Sequence, residues 1–94
     1  MLTGTTRTAP HPEVVFTTLP GGEAVLLHLR AKTYYTLNET GSLIWQQIEK
    51  HRSISEIADS LEENFSVTHE LAARSVMALA NDLLSAELVT IDGA

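Results

Sequence analysis

The chain has 94 residues and no cysteine, and its six basic and twelve acidic residues give a formal net charge of −6. This length suits one small domain, and the lack of cysteine excludes disulfides, cysteine-ligated metal centres and thiol catalysis. The acidic balance disfavours nonspecific binding of nucleic acid, and no apolar run approaches the ~20 residues that span a bilayer. The first residues do not resemble a signal peptide, so we expect a cytoplasmic protein.

Residues 1–13 are rich in threonine, contain Pro10 and Pro12, and show no apolar periodicity. This composition predicts a flexible N-terminal arm. The ordered domain is expected to cover residues 14–91.

Three short segments, residues 14–19, 23–29 and 33–37, have the β-branched, aromatic and aliphatic composition of strands. A turn at Pro20, Gly21 and Gly22 follows the first, and a short polar link follows the second. Such tight links predict an antiparallel meander. Because the second segment is nearly all apolar, we expect both of its faces to be covered.

A helical period begins after this meander. Asn38 and Thr40 are both suited to cap a first helix. Ser53 and Glu56 have the spacing of a capping box for a second helix. Thr68 can cap a third, longer helix that ends near residue 86. The predicted fold class is therefore α+β, with a three-stranded antiparallel sheet packed on three helices.

Apolar residues occupy about half the circumference of the third helix, more than the roughly 100° stripe of an ordinary surface helix. One interpretation is that this helix is wedged between the sheet and the other helices. The other is that part of its apolar surface lines a groove for a partner. Met77 is consistent with a groove, because its flexible thioether adapts to varied shapes.

The chain offers no catalytic constellation. Its histidines, His11, His28, His51 and His69, are scattered, and no pair has the spacing of a helical metal site. His28 lies in an apolar strand, where a structural role is the better interpretation. We therefore expect no catalytic residues, no metal site and no cofactor.

Strands followed by three helices leave two classes of function open, a winged-helix DNA-binding module and a peptide-binding module. A DNA-binding module needs basic residues on its recognition helix, whereas the third helix region offers Arg74 against Glu70, Asp82 and Glu87. A peptide-binding module pairs an extended peptide with an exposed sheet edge. The charge favours the peptide-binding module.

One stretch resembles the signature of the PqqD-like family: Tyr-Tyr-Thr-Leu-Asn-Glu-Thr-Gly at residues 34–41, followed by Ile44 and Trp45. The segments at residues 53–58, 65–67 and 83–89 also fit the family pattern, so the resemblance extends over residues 14–91. It implies a winged helix-turn-helix-like fold. It also implies a non-catalytic domain that recognises the leader segment of a ribosomally made precursor peptide.

The resemblance further implies that the leader adds as a strand to the third strand, against the third helix. Peptide-binding residues on and before that strand would be Arg30, Lys32, Thr33, Tyr34, Tyr35, Thr36 and Leu37, with the two cations attracting leader carboxylates. Those on the helix would be Ala73, Val76, Met77, Ala80, Leu83 and Leu84. Tyr34 and Tyr35 must face opposite sides of the sheet, and the sequence does not say which faces the groove.

The same resemblance favours lasso peptide biosynthesis, with a leader peptidase and a cyclase or other modifying enzyme as further partners. Neither nucleic acid nor a membrane is an expected partner. The alternatives are a peptide chaperone of pyrroloquinoline quinone biosynthesis and a winged-helix DNA-binding regulator. Dimerisation through the same sheet edge stays open.

Overall fold

The computed structural model describes residues 2–92. Within that range the strands are β1 (Arg7–Pro10), β2 (Val14–Thr18), β3 (Ala24–His28), β4 (Thr33–Leu37) and β5 (Val89–Asp92). The helices are α1 (Glu39–Glu49), α2 (Ile54–Asn64) and α3 (His69–Ser85). None of these helices is long and apolar enough to cross a membrane.

Strands β2, β3 and β4 form one antiparallel sheet in that order, which confirms the predicted meander and the α+β class. In its register, Leu26 lies between Phe16 and Tyr35. Because side chains alternate along a strand, Leu26 points to the buried face of the sheet while Leu27 points away from it.

The hydrophobic core lies between the inner face of this sheet and the three helices. Trp45 of α1 is buried in this core, and its ring stacks on Phe16 with the ring centroids 6.3 Å apart. The buried side chains that the helices contribute include Ile44, Ile48, Ile57, Leu61, Val76 and Leu83. They recur at helical spacing, so apolar periodicity and burial agree.

Side chains cap all three helices at the predicted residues. The Asn38 side chain accepts a hydrogen bond from the Gly41 amide at 2.8 Å, so Asn38 rather than Thr40 opens α1. The Ser53 hydroxyl accepts from the Glu56 amide at 3.2 Å, and the Glu56 carboxylate accepts from the Ser53 amide at 2.8 Å. Thr68 caps α3. The capping box of α2 is therefore confirmed.

Strand β1 corrects the prediction of a flexible arm over residues 1–13. It pairs antiparallel with β5, and Thr8 within it is buried. Just before it, the carbonyls of Gly4 and Thr6 accept hydrogen bonds from the first amides of α2, at 2.8 and 3.0 Å. The order of this segment comes from backbone hydrogen bonds, which leave no apolar period in the sequence.

The outer face of the sheet corrects a second expectation. Leu27 is 40% exposed, and its register neighbours Val15 and Tyr34 are exposed beside it. These three residues form an outer apolar row that crosses the sheet on the side away from the helices. Among the residues that the structure describes, strand β3 is therefore covered on one face only.

His28 has the structural role that the sequence predicts. It is buried, and its Nδ1 accepts a hydrogen bond from the Ala31 amide at 3.1 Å. The His11 ring lies against it, with the ring centroids 4.6 Å apart. The histidine thereby closes the connection between β3 and β4.

The capping box generates a prediction about pH and stability. Hydrogen bonds from Ser53 lower the pKa of Glu56, and the nearby Arg7 guanidinium, 3.1 Å away, lowers it further. A depressed carboxyl pKa stabilises the fold above the usual value of 4.5 and loses that contribution as the pH falls through the folded-state pKa. Ser53→Ala should lower the free energy of unfolding by about 1 kcal/mol at neutral pH.

Urea unfolding of the wild type, Ser53→Ala and Glu56→Gln at about pH 7 and about pH 3 tests this. The advantage of the wild type over Glu56→Gln should shrink at the lower pH. An advantage of equal size at both pH values would contradict the assignment.

Candidate functional site

Strand β4 forms an edge of the sheet. It pairs with β3 on one side, and no other strand of residues 2–92 pairs with its second side. Alternate residues of an edge strand direct their N–H and C=O groups outward, where they can pair with an added strand. The edge of β4 is therefore a template for strand addition.

An open cleft of about 630 Å³ lies between this edge and α3. The sheet contributes Glu23, Tyr35, Thr36 and Leu37 to its lining, and the start of α1 contributes Asn38, Thr40, Gly41 and Ile44. Helix α3 contributes Ser75, Ala78, Leu79 and Asp82. The cleft thus combines free backbone groups on one wall with a helix face on the other.

Helical spacing explains the α3 wall. Positions 75, 78, 79 and 82 follow the i, i+3, i+4, i+7 pattern of one helix face. This cleft face lies beside the stripe of α3 that is buried in the core. The helix is held by its buried stripe, and the adjacent cleft face stands opposite β4.

Gly41 keeps the start of α1 close to β4. A Cβ atom at this position would lie 3.1 Å from Leu37 Cδ2 and 3.3 Å from Leu37 Cβ, which is tighter than ordinary packing. The lack of a side chain therefore permits the close approach of α1 that closes the inner side of the cleft.

A smaller apolar pocket of about 180 Å³ shares Thr40 and Ser75 with the cleft. Its remaining lining is Leu61, Phe65, Val67, Leu71 and Ala72. Because the two cavities share wall residues, the pocket extends the cleft past Ser75 into apolar surroundings. An apolar side chain of an occupant could pack against these residues.

The cleft is acidic. Its lining contains the carboxylates of Glu23 and Asp82 and neither lysine nor arginine. Burial raises the pKa of Tyr35, and the negative charge of Asp82 raises that pKa further. Tyr35 on β4 and Asp82 on α3 both line the cleft.

The strand residues proposed from the sequence divide between the two faces of the sheet. Tyr35, Thr36 and Leu37 line the cleft. Tyr34 is 74% exposed in the outer apolar row, so Tyr35 is the tyrosine that faces α3. Thr33 is exposed at the start of the strand.

The two cations before β4 are exposed. Arg30 lies 3.7 Å from the Glu13 carboxylate, and Lys32 stands at the end of the turn with a positive φ of 57°. Neither lines the cleft. Both lie at the Thr33 end of the edge, where contact with a bound leader stays a prediction.

The helix residues proposed from the sequence lie outside the cleft lining. Val76, Ala80 and Leu83 are 2% exposed or less and belong to the core, and Ala73, Met77 and Leu84 are half-buried and pack against it. None of the six lines the cleft. Val76, Ala80 and Leu83 therefore serve the core, whereas contact of a leader with the half-buried Ala73, Met77 and Leu84 stays a prediction.

The residues that the sequence reasoning missed are Ser75, Ala78, Leu79 and Asp82. Because these side chains combine polar and apolar types, they do not form the uniformly apolar face that predicts a groove. Their helical spacing places them on one face beside the apolar stripe, but the sequence does not show that this face meets the sheet edge.

One further cluster of charged side chains lies away from the cleft. Asp59, Glu62 and His69 place potential metal-ligand atoms within 4.8 Å of one another. His69 Nδ1 is 2.8 Å from a Glu62 oxygen, and this hydrogen bond and the charge of Glu62 raise the pKa of His69. A surface ion pair between α2 and the start of α3 accounts for this arrangement.

Comparison with known proteins gives a family. The family described as coenzyme PQQ synthesis protein D (PqqD) matches residues 23–89, from the start of β3 through all three helices. The chain belongs to the PqqD family. No curated protein matches this PqqD-family chain.

Two solved structures are similar to it. One is TbiB1 in complex with the TbiA(beta) leader peptide, with 30% sequence identity and a TM-score of 0.80, covering 92% of this chain and 96% of the other. The second is a lasso peptide synthetase B1 complexed with the leader peptide, with 28% identity and a TM-score of 0.80, covering 88% and 96%. Both of these similar proteins bind leader peptides.

Proposed function

We propose that this chain binds the leader segment of a lasso precursor peptide as an added strand on β4. The observation that carries the proposal is the free edge of β4 facing α3 across an open cleft. The two similar structures, both complexes with leader peptides, support the same assignment. A winged helix-turn-helix-like arrangement of the three helices and the sheet is part of this proposal.

A strand on this edge would present its side chains alternately to the cleft and to the outer face. Side chains on the cleft side meet Tyr35 and Leu79, and an apolar one can enter the pocket beyond Ser75. Main-chain hydrogen bonds then contribute affinity, and the cleft contributes selectivity.

The energetic terms bound the affinity. Each backbone hydrogen bond of an added strand contributes about 0.5–1.5 kcal/mol net, and each apolar anchor about 1.5–3 kcal/mol on burial. Ordering a flexible leader opposes binding by about 2–5 kcal/mol. For a five- or six-residue strand with two anchors, the middle of these ranges corresponds to a dissociation constant of roughly tens of micromolar, and the favourable end corresponds to the nanomolar range.

The chemistry of the cleft supports a binding role without catalysis. Its lining offers hydroxyl groups from Thr36, Thr40 and Ser75, with neither histidine nor lysine among the other lining residues, and within residues 2–92 neither Glu23 nor Asp82 forms a hydrogen bond with these hydroxyls. A hydroxyl with no activating base is a weak nucleophile. Selection and positioning of a peptide are the tasks that remain.

Charge supports a peptide over DNA as the ligand. Three of the six basic residues are within ion-pair distance of carboxylates, Arg7 with Glu56, Arg30 with Glu13, and Arg74 with Glu70. The pair on α3 leaves that helix without a free cation within the described residues. Similarity to lasso B1 structures favours a lasso leader over a peptide of quinone-cofactor biosynthesis.

Filling the cleft tests the proposed site. Ala78→Phe places a large ring on the exposed cleft face of α3, so the domain should fold and the leader should lose access. Loss of one buried anchor predicts at least a tenfold weaker affinity, on the order of 1.4 kcal/mol or more. Titration of the purified domain into a labelled leader of its own precursor measures this.

Ala86→Phe is the matched control, since Ala86 is exposed after the end of α3 and does not line the cleft. It should bind like the wild type. If Ala78→Phe and the wild type bound the leader equally well, the leader would lie outside this cleft. Binding of duplex DNA without binding of leader would favour the alternative function of a winged-helix DNA-binding regulator.

We further propose that the outer apolar row presents the bound leader to a leader peptidase. Tyr34 of this row lies on β4 itself, so an added strand would extend the same face. Val15 and Leu27 continue it across the sheet. An exposed apolar surface continuous with the peptide lets a second protein recognise the carrier and the leader together.

Leu27→Lys separates presentation from binding. The side chain is exposed on the face away from the cleft, so leader affinity should stay within about twofold of the wild type. Leader cleavage by the partner peptidase should fall by about tenfold or more, because a charge replaces an apolar contact.

Thr90→Lys on the exposed part of β5 adds the same charge elsewhere and should leave cleavage unchanged. If Leu27→Lys left leader cleavage unchanged, the outer apolar row would not be the surface that the peptidase recognises. That result would not affect the proposed binding of the leader to β4.

A further inference from the structure

Two carboxylates in the cleft have no cation beside them. Asp82 and Glu23 both line it, and neither forms an ion pair within residues 2–92. The rest of the lining contributes no lysine or arginine. A basic group brought by an occupant would therefore be the first cation to meet them.

The position of Asp82 is electrostatically unfavourable for the helix. It lies in the last turn of α3, where the C-terminal carbonyls carry partial negative charge and a basic residue would be favoured. That last turn contains no basic residue. The C-terminal cap of α3 uses backbone hydrogen bonds and not this carboxylate, which lines the cleft together with Tyr35. An acidic side chain at this position does not stabilise the helix, but it does give the cleft a negative charge.

Charge is also distributed unevenly along the β4 edge. Glu23 directly precedes Ala24, whose register partner is Leu37, so Glu23 lies at the Leu37 end. Arg30 and Lys32 precede Thr33 and lie at the opposite end. A peptide along this edge meets positive charge at the Thr33 end and negative charge toward the Leu37 end.

We propose that the peptide bound to β4 carries a lysine or arginine whose side chain faces Asp82, with Glu23 adding to the attraction. This inference rests on the proposed strand addition and names a chemical feature of its ligand. Asp82 is exposed, so the pair is solvated and its effect is moderate. Loss of the pair should weaken binding by about fivefold at low ionic strength and by less at high salt.

A double-mutant cycle tests the pairing. The probe is the labelled leader of the chain's own precursor, together with variants in which each lysine and arginine is singly changed to glutamine. One such change should weaken binding to the wild type by about fivefold and have no effect on Asp82→Asn. Asp82→Lys should prefer a leader with glutamate at that same position.

Two protein variants control this experiment. Glu63→Gln removes one negative charge from the exposed end of α2, away from the cleft lining, and should bind like the wild type. Asp82→Glu keeps the charge and should retain the preference for the basic residue. Thermal unfolding of Asp82→Asn should occur at or above the wild-type temperature, because the substitution relieves the unfavourable charge at the helix end.

The outcomes distinguish the inference from the proposed function. The leader could bind saturably while Asp82→Asn and every leader substitution change its affinity additively. That result would overturn the pairing and leave strand addition intact. A leader that binds without containing lysine or arginine would do the same. Absence of leader binding to the wild type would instead overturn the proposed function.

Discussion

Within residues 2–92, strand β4 has a hydrogen-bonding partner strand on one side only, and its other side faces a cleft. Backbone N–H and C=O groups on such an edge are satisfied by water or by an added chain. The close approach of α1 at Gly41 and the position of α3 across the cleft leave room beside this edge. The shape and polarity of the cleft follow from that arrangement.

Helix α3 separates stability from recognition. Val76 and Leu83 lie in the core, and their burial fixes the helix relative to the sheet. Ser75 and Leu79, on the neighbouring face, are then held at a defined place opposite β4. A wall anchored by its own buried stripe is preorganised, so less conformational entropy opposes binding than for a mobile loop. Substitutions on the two faces should have separable effects on folding and affinity.

Local signals predicted most of the fold, whereas the position of the site depends on packing. Ser53 and Glu56 predict the start of α2, because their capping hydrogen bonds lie within one helical turn. Residues 33–37 form β4 with the predicted bounds. The paired strand β1 was missed because backbone hydrogen bonds leave no side-chain pattern. On α3, an apolar surface covering half the circumference does not reveal which flank meets the sheet edge, so Ala78 and its neighbours were visible only in the fold.

Amide hydrogen exchange of the domain with and without its leader peptide tests strand addition most directly. The account predicts that bound leader slows exchange at outward-facing amides of β4, Thr33–Leu37, and changes the free edge of β2 little. Slower exchange confined to β2 or to the exposed face of α2, with β4 unaffected, would contradict it.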